Sequence, residues 1–143
     1  MIVPDVNILV YAYNKDAPHH RAARRWWEDT LSATETVGLT WVACLGYLRL
    51  TTSRRVLLQP WNPTEAVEHI RTWLARPQVQ LLQAGPRHLD ILAGFAAAGV
   101  LSSDLTTDAH LAAIAIEYQG TICSNDGDFD RFPGLRHQNP VLT

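Results

Sequence analysis

Residues 107–129 read TDAHLAAIAIEYQGTICSNDGDF, and this stretch decides the fold. An apolar helix pattern opens at Thr107, placed as its cap, and runs to Tyr118, with Gly120 as the C′ residue. Thr121–Ser124 follows as a short buried strand. The chain then leaves that strand into an acidic turn, Asn125-Asp126-Gly127-Asp128. A helix feeding a buried strand that ends in polar residues is the repeating unit of an α/β fold.

The same unit recurs upstream. Ile2-Val3 starts a short strand with Asp5 at its C-terminal end, and Val6–Tyr13 reads as one or two helical turns. A helix is expected over Pro18–Leu31, with Asp16 as its cap. Thr36–Leu39 reads as a strand and Trp41–Leu50 as an apolar helix. Asn62-Pro63-Thr64-Glu65 is a capping box, with Asn as N-cap, Pro at N1 and Glu at N3, opening a helix to about Leu74. Val79–Leu82 reads as a strand, and Pro86 opens a helix ending at Gly99. Strands alternating with helices predict an α/β fold with a parallel central sheet covered on both faces. No repeat or linker divides the 143 residues, so one domain over 1–143 is expected.

Composition narrows the function classes. Hydrophobic residues make up 47% and charged residues 18%, which excludes a disordered chain. Two cysteines, Cys44 and Cys123, exclude a disulfide scaffold and fit a reducing, cytoplasmic setting. No uninterrupted apolar run is long enough for a membrane span, and the N-terminus lacks a signal-peptide pattern. The net charge is −2, but its distribution is uneven. Residues 104–130 hold six acids (Asp104, Asp108, Glu117, Asp126, Asp128 and Asp130) and no Lys or Arg. Eleven of the twelve basic residues are Arg. Arg21, Arg24 and Arg25 lie at helical spacing, with Arg49, Arg54 and Arg55 further on. They form either a solvated face or a rim that grips phosphates.

Parallel α/β folds build sites beyond the carboxyl ends of their strands. Asp5, Asp126 and Asp128 follow strands, and Asp108 sits in the first turn of the helix before the last strand. Each has an ordinary reading: Asp5 as a cap, Asp108 as a first-turn acid, Asp126-Gly127 as a turn. Together they point to one acidic cleft. Carboxylates cannot all stay ionised side by side unless a cation neutralises them, and oxygen ligands favour Mg²⁺ or Mn²⁺. His110, two residues past Asp108, points elsewhere. The five Trp read mostly as core and interface.

Three stretches resemble a family. They are the opening from Met1 to Ala12, the run Tyr47-Leu48-Arg49-Leu50-Thr51-Thr52, and the block from Thr107 to Phe129. They are similar to PIN domains, and more narrowly to the VapC toxins of bacterial toxin–antitoxin modules. The tail, Phe132-Pro133-Gly134-Leu135 and Asn139-Pro140, fits as well. The resemblance implies a three-layer sandwich and a Mg²⁺-dependent endoribonuclease acting on RNA. It also implies a homodimer and a VapB-like antitoxin partner. Carried over residue by residue, it implies Asp5, Asp108, Asp126 and Asp128 as the catalytic set, with Asp5, Asp108 and Asp126 as metal ligands. Asn7 and Ser124 match polar positions that steady the site. One departure stands out. Where many members carry a Glu three residues before an Arg, this chain has Gly46 before Arg49. No acid lies between Thr40 and Thr52; Asp104 or solvent would have to fill that place. The competing expectation is an idle PIN-like module that binds RNA or protein without cutting.

Overall fold

The computed structural model describes residues 1–142. The described residues hold five strands: β1 (Ile2–Pro4), β2 (Val37–Thr40), β3 (Val79–Leu82), β4 (Thr121–Cys123) and β5 (Arg136–Gln138). The helices are α1 (Val6–Tyr13), α2 (His20–Ser32), α3 (Trp41–Thr51), α4 (Pro63–Leu74), α5 (His88–Ala97) and α6 (Thr106–Glu117). All neighbouring strands pair in parallel, in the order β3-β2-β1-β4-β5. Parallel strands need crossovers, and the crossovers cover both faces. One core packs α1–α4 residues Ile8, Leu9, Trp27, Tyr47 and Trp73 against Val37 and Leu39. The other packs α5 and α6, through Phe95, Leu111 and Ile114, against Val3, Leu82 and Ile122. The expected three-layer α/β sandwich is borne out.

Local chemistry sets the element ends. The Thr40 hydroxyl accepts from Ala43 N–H and caps α3, and Asn62 accepts from Glu65 N–H and caps α4. Two other expected caps do not form. Helix α2 starts two residues late, after a turn in which Asn14, not Asp16, accepts a backbone N–H. Thr107 caps nothing because α6 runs on directly from a 3₁₀ turn at Ser103–Leu105 and begins at Thr106. At the other end of α6, Gln119 takes the left-handed position, with φ 55°. Gly120 serves a different need: a Cβ there would lie 2.9 Å from the Val3 side chain. Strand β5 was not expected. It is a short edge strand of Arg, His and Gln with no alternation of buried apolar residues to betray it. Both cysteines are buried and free. No helix among the described residues is long and apolar enough to cross a membrane.

Candidate functional site

The central strands β1 and β4 end side by side, with Pro4 opposite Cys123. One residue further on, Asp5 and Ser124 face each other at the C-terminal edge of the sheet. Asp5 N–H donates to the Cys123 carbonyl at 2.9 Å, which carries the pairing one step past β1. Asp5 then caps α1, accepting Val6 N–H on Oδ1 at 2.8 Å. Its other oxygen accepts the Ser124 hydroxyl at 2.7 Å.

Ser124 is wholly buried, and its oxygen is fully used. It donates to Asp5 Oδ2 and accepts from Asn7 Nδ2 at 3.1 Å and from Asp126 N–H at 3.0 Å. Asn7 Oδ1 takes Asn125 N–H at 3.3 Å. Asp126 in turn accepts Asp128 N–H at 2.9 Å and opens a 3₁₀ turn over Gly127–Arg131. Buried Phe129 pins that turn to the α5–α6 core. The expected supporting roles of Asn7 and Ser124 therefore have a concrete form: they tie the β1 end to the acidic loop.

One carboxylate oxygen from each of Asp108, Asp126 and Asp128 lies within 4.8 Å of the others. Asp5 is outside that group of three, where the sequence reading had placed it among the ligands in preference to Asp128. Each of its oxygens accepts one protein donor and keeps a further lone pair for the cleft. Its charge is still felt. Burial pushes the Asp108 carboxyl up to about 6, and Asp5, Asp126 and Asp128 push it further in that direction. Asp5 is itself raised, chiefly by burial and despite its bonds to Ser124 and Val6. Clustered oxygens whose own charges oppose ionisation form the donor set a hard divalent cation fits. Arg131 approaches Asp128 at 3.4 Å, but both side chains are exposed, so the pair adds little.

Asp104, exposed in the 3₁₀ turn before α6, is not part of the cluster. Gly46 is buried against α1, and a Cβ there would lie 2.7 Å from Val6 Cγ2. In this chain the Val6 side chain fills the space beside Gly46. Arg24 does not join the acidic cleft. It reaches the Ala12 carbonyl, Glu28 and the face of Tyr13, at the far end of α1 from Asp5. Sequence reasoning missed His137. It sits on β5, with Nε2 2.9 Å from the Ser124 carbonyl and Nδ1 2.8 Å from Asp130 Oδ1. It thus braces the strand end that carries the acidic loop. Its only sequence signal was a lone His in a polar run.

The model for the PIN domain matches residues 2–135. Ribonuclease VapC33 of Mycobacterium tuberculosis is 47% identical over 141 residues, covering 99% of both chains. Ribonuclease VapC37 of the same organism is 38% identical over 140 residues, covering 98% of this chain and 97% of its own. The solved structure of VapBC2 from Rickettsia felis bound to a promoter DNA fragment superposes with a TM-score of 0.67. It is 19% identical and covers 97% of this chain and 98% of that one. M. tuberculosis VapC20, described as a Sarcin-Ricin loop cleaving toxin, gives a TM-score of 0.63 at 20% identity, covering 95% and 99%. The structural likenesses carry the shared fold. The sequence matches go further, spanning both strand ends and the acidic loop, and with them this chain belongs to the PIN domain family.

Proposed function

We propose that this chain is a metal-dependent endoribonuclease, the toxin of a toxin–antitoxin module. Its catalytic set is Asp5, Asp108, Asp126 and Asp128. The observation that supports this most directly is the convergence of Asp108, Asp126 and Asp128, which no buried basic residue neutralises among the described residues. The full-length similarity to proteins named ribonucleases supports the choice of RNA.

Hydrolysis adds water across a phosphodiester: a new O–P bond forms, the bond to the leaving oxygen breaks, and one proton must leave the water. A bound Mg²⁺ or Mn²⁺ would supply charge neutralisation and Lewis-acid polarisation of the phosphate. Asp5, Asp108 and Asp126 would hold that ion, with Asp128 beside them in the cluster. A free carboxylate oxygen of Asp126 or Asp128 takes the proton from the attacking water. Through Ser124, Asp5 also fixes where the acidic loop sits. With the cation in place the cleft accepts the polyanion that the bare carboxylates repel.

The same reading extends to one domain over the whole chain, a cytoplasmic setting, a homodimer and a VapB-like antitoxin. That antitoxin places an Arg or Lys among the acids. Purified protein incubated with RNA provides the test. Cleavage is expected with Mg²⁺ or Mn²⁺ and not with EDTA, and Asp108→Asn or Asp126→Asn removes it while the fold persists. Full cleavage in EDTA, or in both variants, refutes the metal-nuclease reading. Metal binding with no cleavage of any RNA would favour the idle binding module.

A further inference from the structure

A second recess lies on the same edge of the sheet. It has a volume of about 320 Å³, and its walls include Trp41, Gln83 and His110. The strand register places it. Thr40 pairs with Leu82 across β2 and β3, and Ile2 pairs with Val37 across β1 and β2. Counting three residues on from Ile2 and Val37 sets Thr40 beside Asp5. Parallel neighbours are about 4.8 Å apart, so the recess opens one strand away from the acidic cleft.

We propose that this recess is a nucleobase subsite, seating a base of the RNA strand next to the phosphate at the acids. It rests on the ribonuclease reading above and adds to it the residues that choose the sequence. Trp41 stands at the start of α3 with half of its surface exposed, 50%. Its indole has no aromatic partner among the described residues, which suits a stacking platform for an unpaired base. Gln83, exposed just past β3, holds an amide with no hydrogen bond among the described residues.

His110 supplies the third feature. Its Nδ1 is 2.8 Å from His88 Nε2, with the rings nearly perpendicular. Glu117 sits behind this pair and braces it. Its carboxylate is held by Gly85 N–H at 2.9 Å and Arg87 N–H at 3.3 Å, and sits 3.8 Å from His88 Nδ1. That nitrogen is buried and has no hydrogen-bond partner. These contacts fix the His110 ring on the wall of the recess, where the imidazole and the Gln83 amide are polar groups for a base edge.

The test digests a random-sequence single-stranded RNA pool with Mg²⁺ and sequences the cut ends. Wild type is expected to favour particular bases at one position flanking the cut. Trp41→Ala should lower cleavage of the favoured sequence about tenfold and flatten that position, with Trp41→Phe restoring most of it. Gln83→Ala, on an exposed loop that leaves folding intact, and His110→Phe should change which base is favoured there. If wild type cuts and every variant keeps its profile, the subsite is wrong and the ribonuclease reading stands. A uniform loss of rate with an unchanged profile, or a wild-type profile flat at every flanking position, also overturns the subsite. A wild-type chain that cuts no RNA overturns the ribonuclease reading, and the subsite with it.

Discussion

Replacing Asp108 with Asn should make the metal-free protein more stable while destroying its activity. Asn keeps the shape of the side chain and removes one charge from a crowded group. In the fold the Asp108 carboxyl is pushed from an ordinary 3.8 to about 6, by burial and then by Asp5, Asp126 and Asp128. At about 1.4 kcal/mol per pH unit, ionising it near neutral pH costs the fold at most about 3 kcal/mol. The group is partly open to water, and screening reduces that to about 1 kcal/mol. The sign follows from linkage. The folded chain binds this proton more tightly than the unfolded chain. Its stabilising contribution is therefore complete below 3.8 and is lost as the pH rises through about 6. Thermal melts in EDTA near pH 7.5 should place Asp108→Asn about 3 °C above wild type, and near pH 4 the gap should close. Saturating Mg²⁺ should reverse the order, because the ion stabilises only the form that binds it. If Asp108→Asn melts at or below wild type in EDTA at the higher pH, burial and neighbouring charge do not oppose its ionisation and the account of the cluster fails.

Three further outcomes follow from the packing around the cleft. Ser124→Ala leaves Asp5, the Asn7 amide and Asp126 N–H without their shared partner. It should cost about 2–3 kcal/mol in urea unfolding and lower RNA cleavage tenfold or more; full activity would show that Asp5 needs no anchor. Gly46→Ala drives a Cβ into Val6 and should cost about 1–3 kcal/mol, with Val6→Ala recovering most of it in a double-mutant cycle. Simple additivity of the two would mean that they do not touch. Phe129→Ala empties the anchor under the acidic turn and should cost about 3–5 kcal/mol, read by denaturant melts at fixed Mg²⁺. A loss below about 1 kcal/mol would mean the turn is held by its hydrogen bonds alone.

Much of this architecture was legible before any coordinates. The Asn62 capping box, the apolar run from Trp41 and the Thr121–Ser124 strand each carry a strong local signal, and each forms, the strand one residue shorter than read. Illegible features depend on partners distant in the chain. Strand β5 exists because β4 offers it an edge, and its residues announce nothing. Asp16 and Thr107 are good cap residues, but α2 starts beyond Asp16 with no side-chain cap, and α6 runs on from the 3₁₀ turn before Thr107. At the site, composition and strand ends located the acids. Spacing could not show that the Ser124 hydroxyl would tie Asp5 to the acidic loop, or that Asp128 would come within 4.8 Å of Asp108 and Asp126. His137 and the His88–His110 pair rest on contacts between separate elements, which no single segment reveals.

The bond between Asp5 and Ser124 spans 119 positions of chain. Synthesis delivers Asp5 almost first and the acidic loop almost last, and β1 has no neighbour on that side until β4 emerges. Contacts this remote in sequence form late and slowly. A growing chain therefore carries α1–α5 without a complete cleft. In this arrangement of strands, the four aspartates can come together only once the last tenth or so of the chain is made.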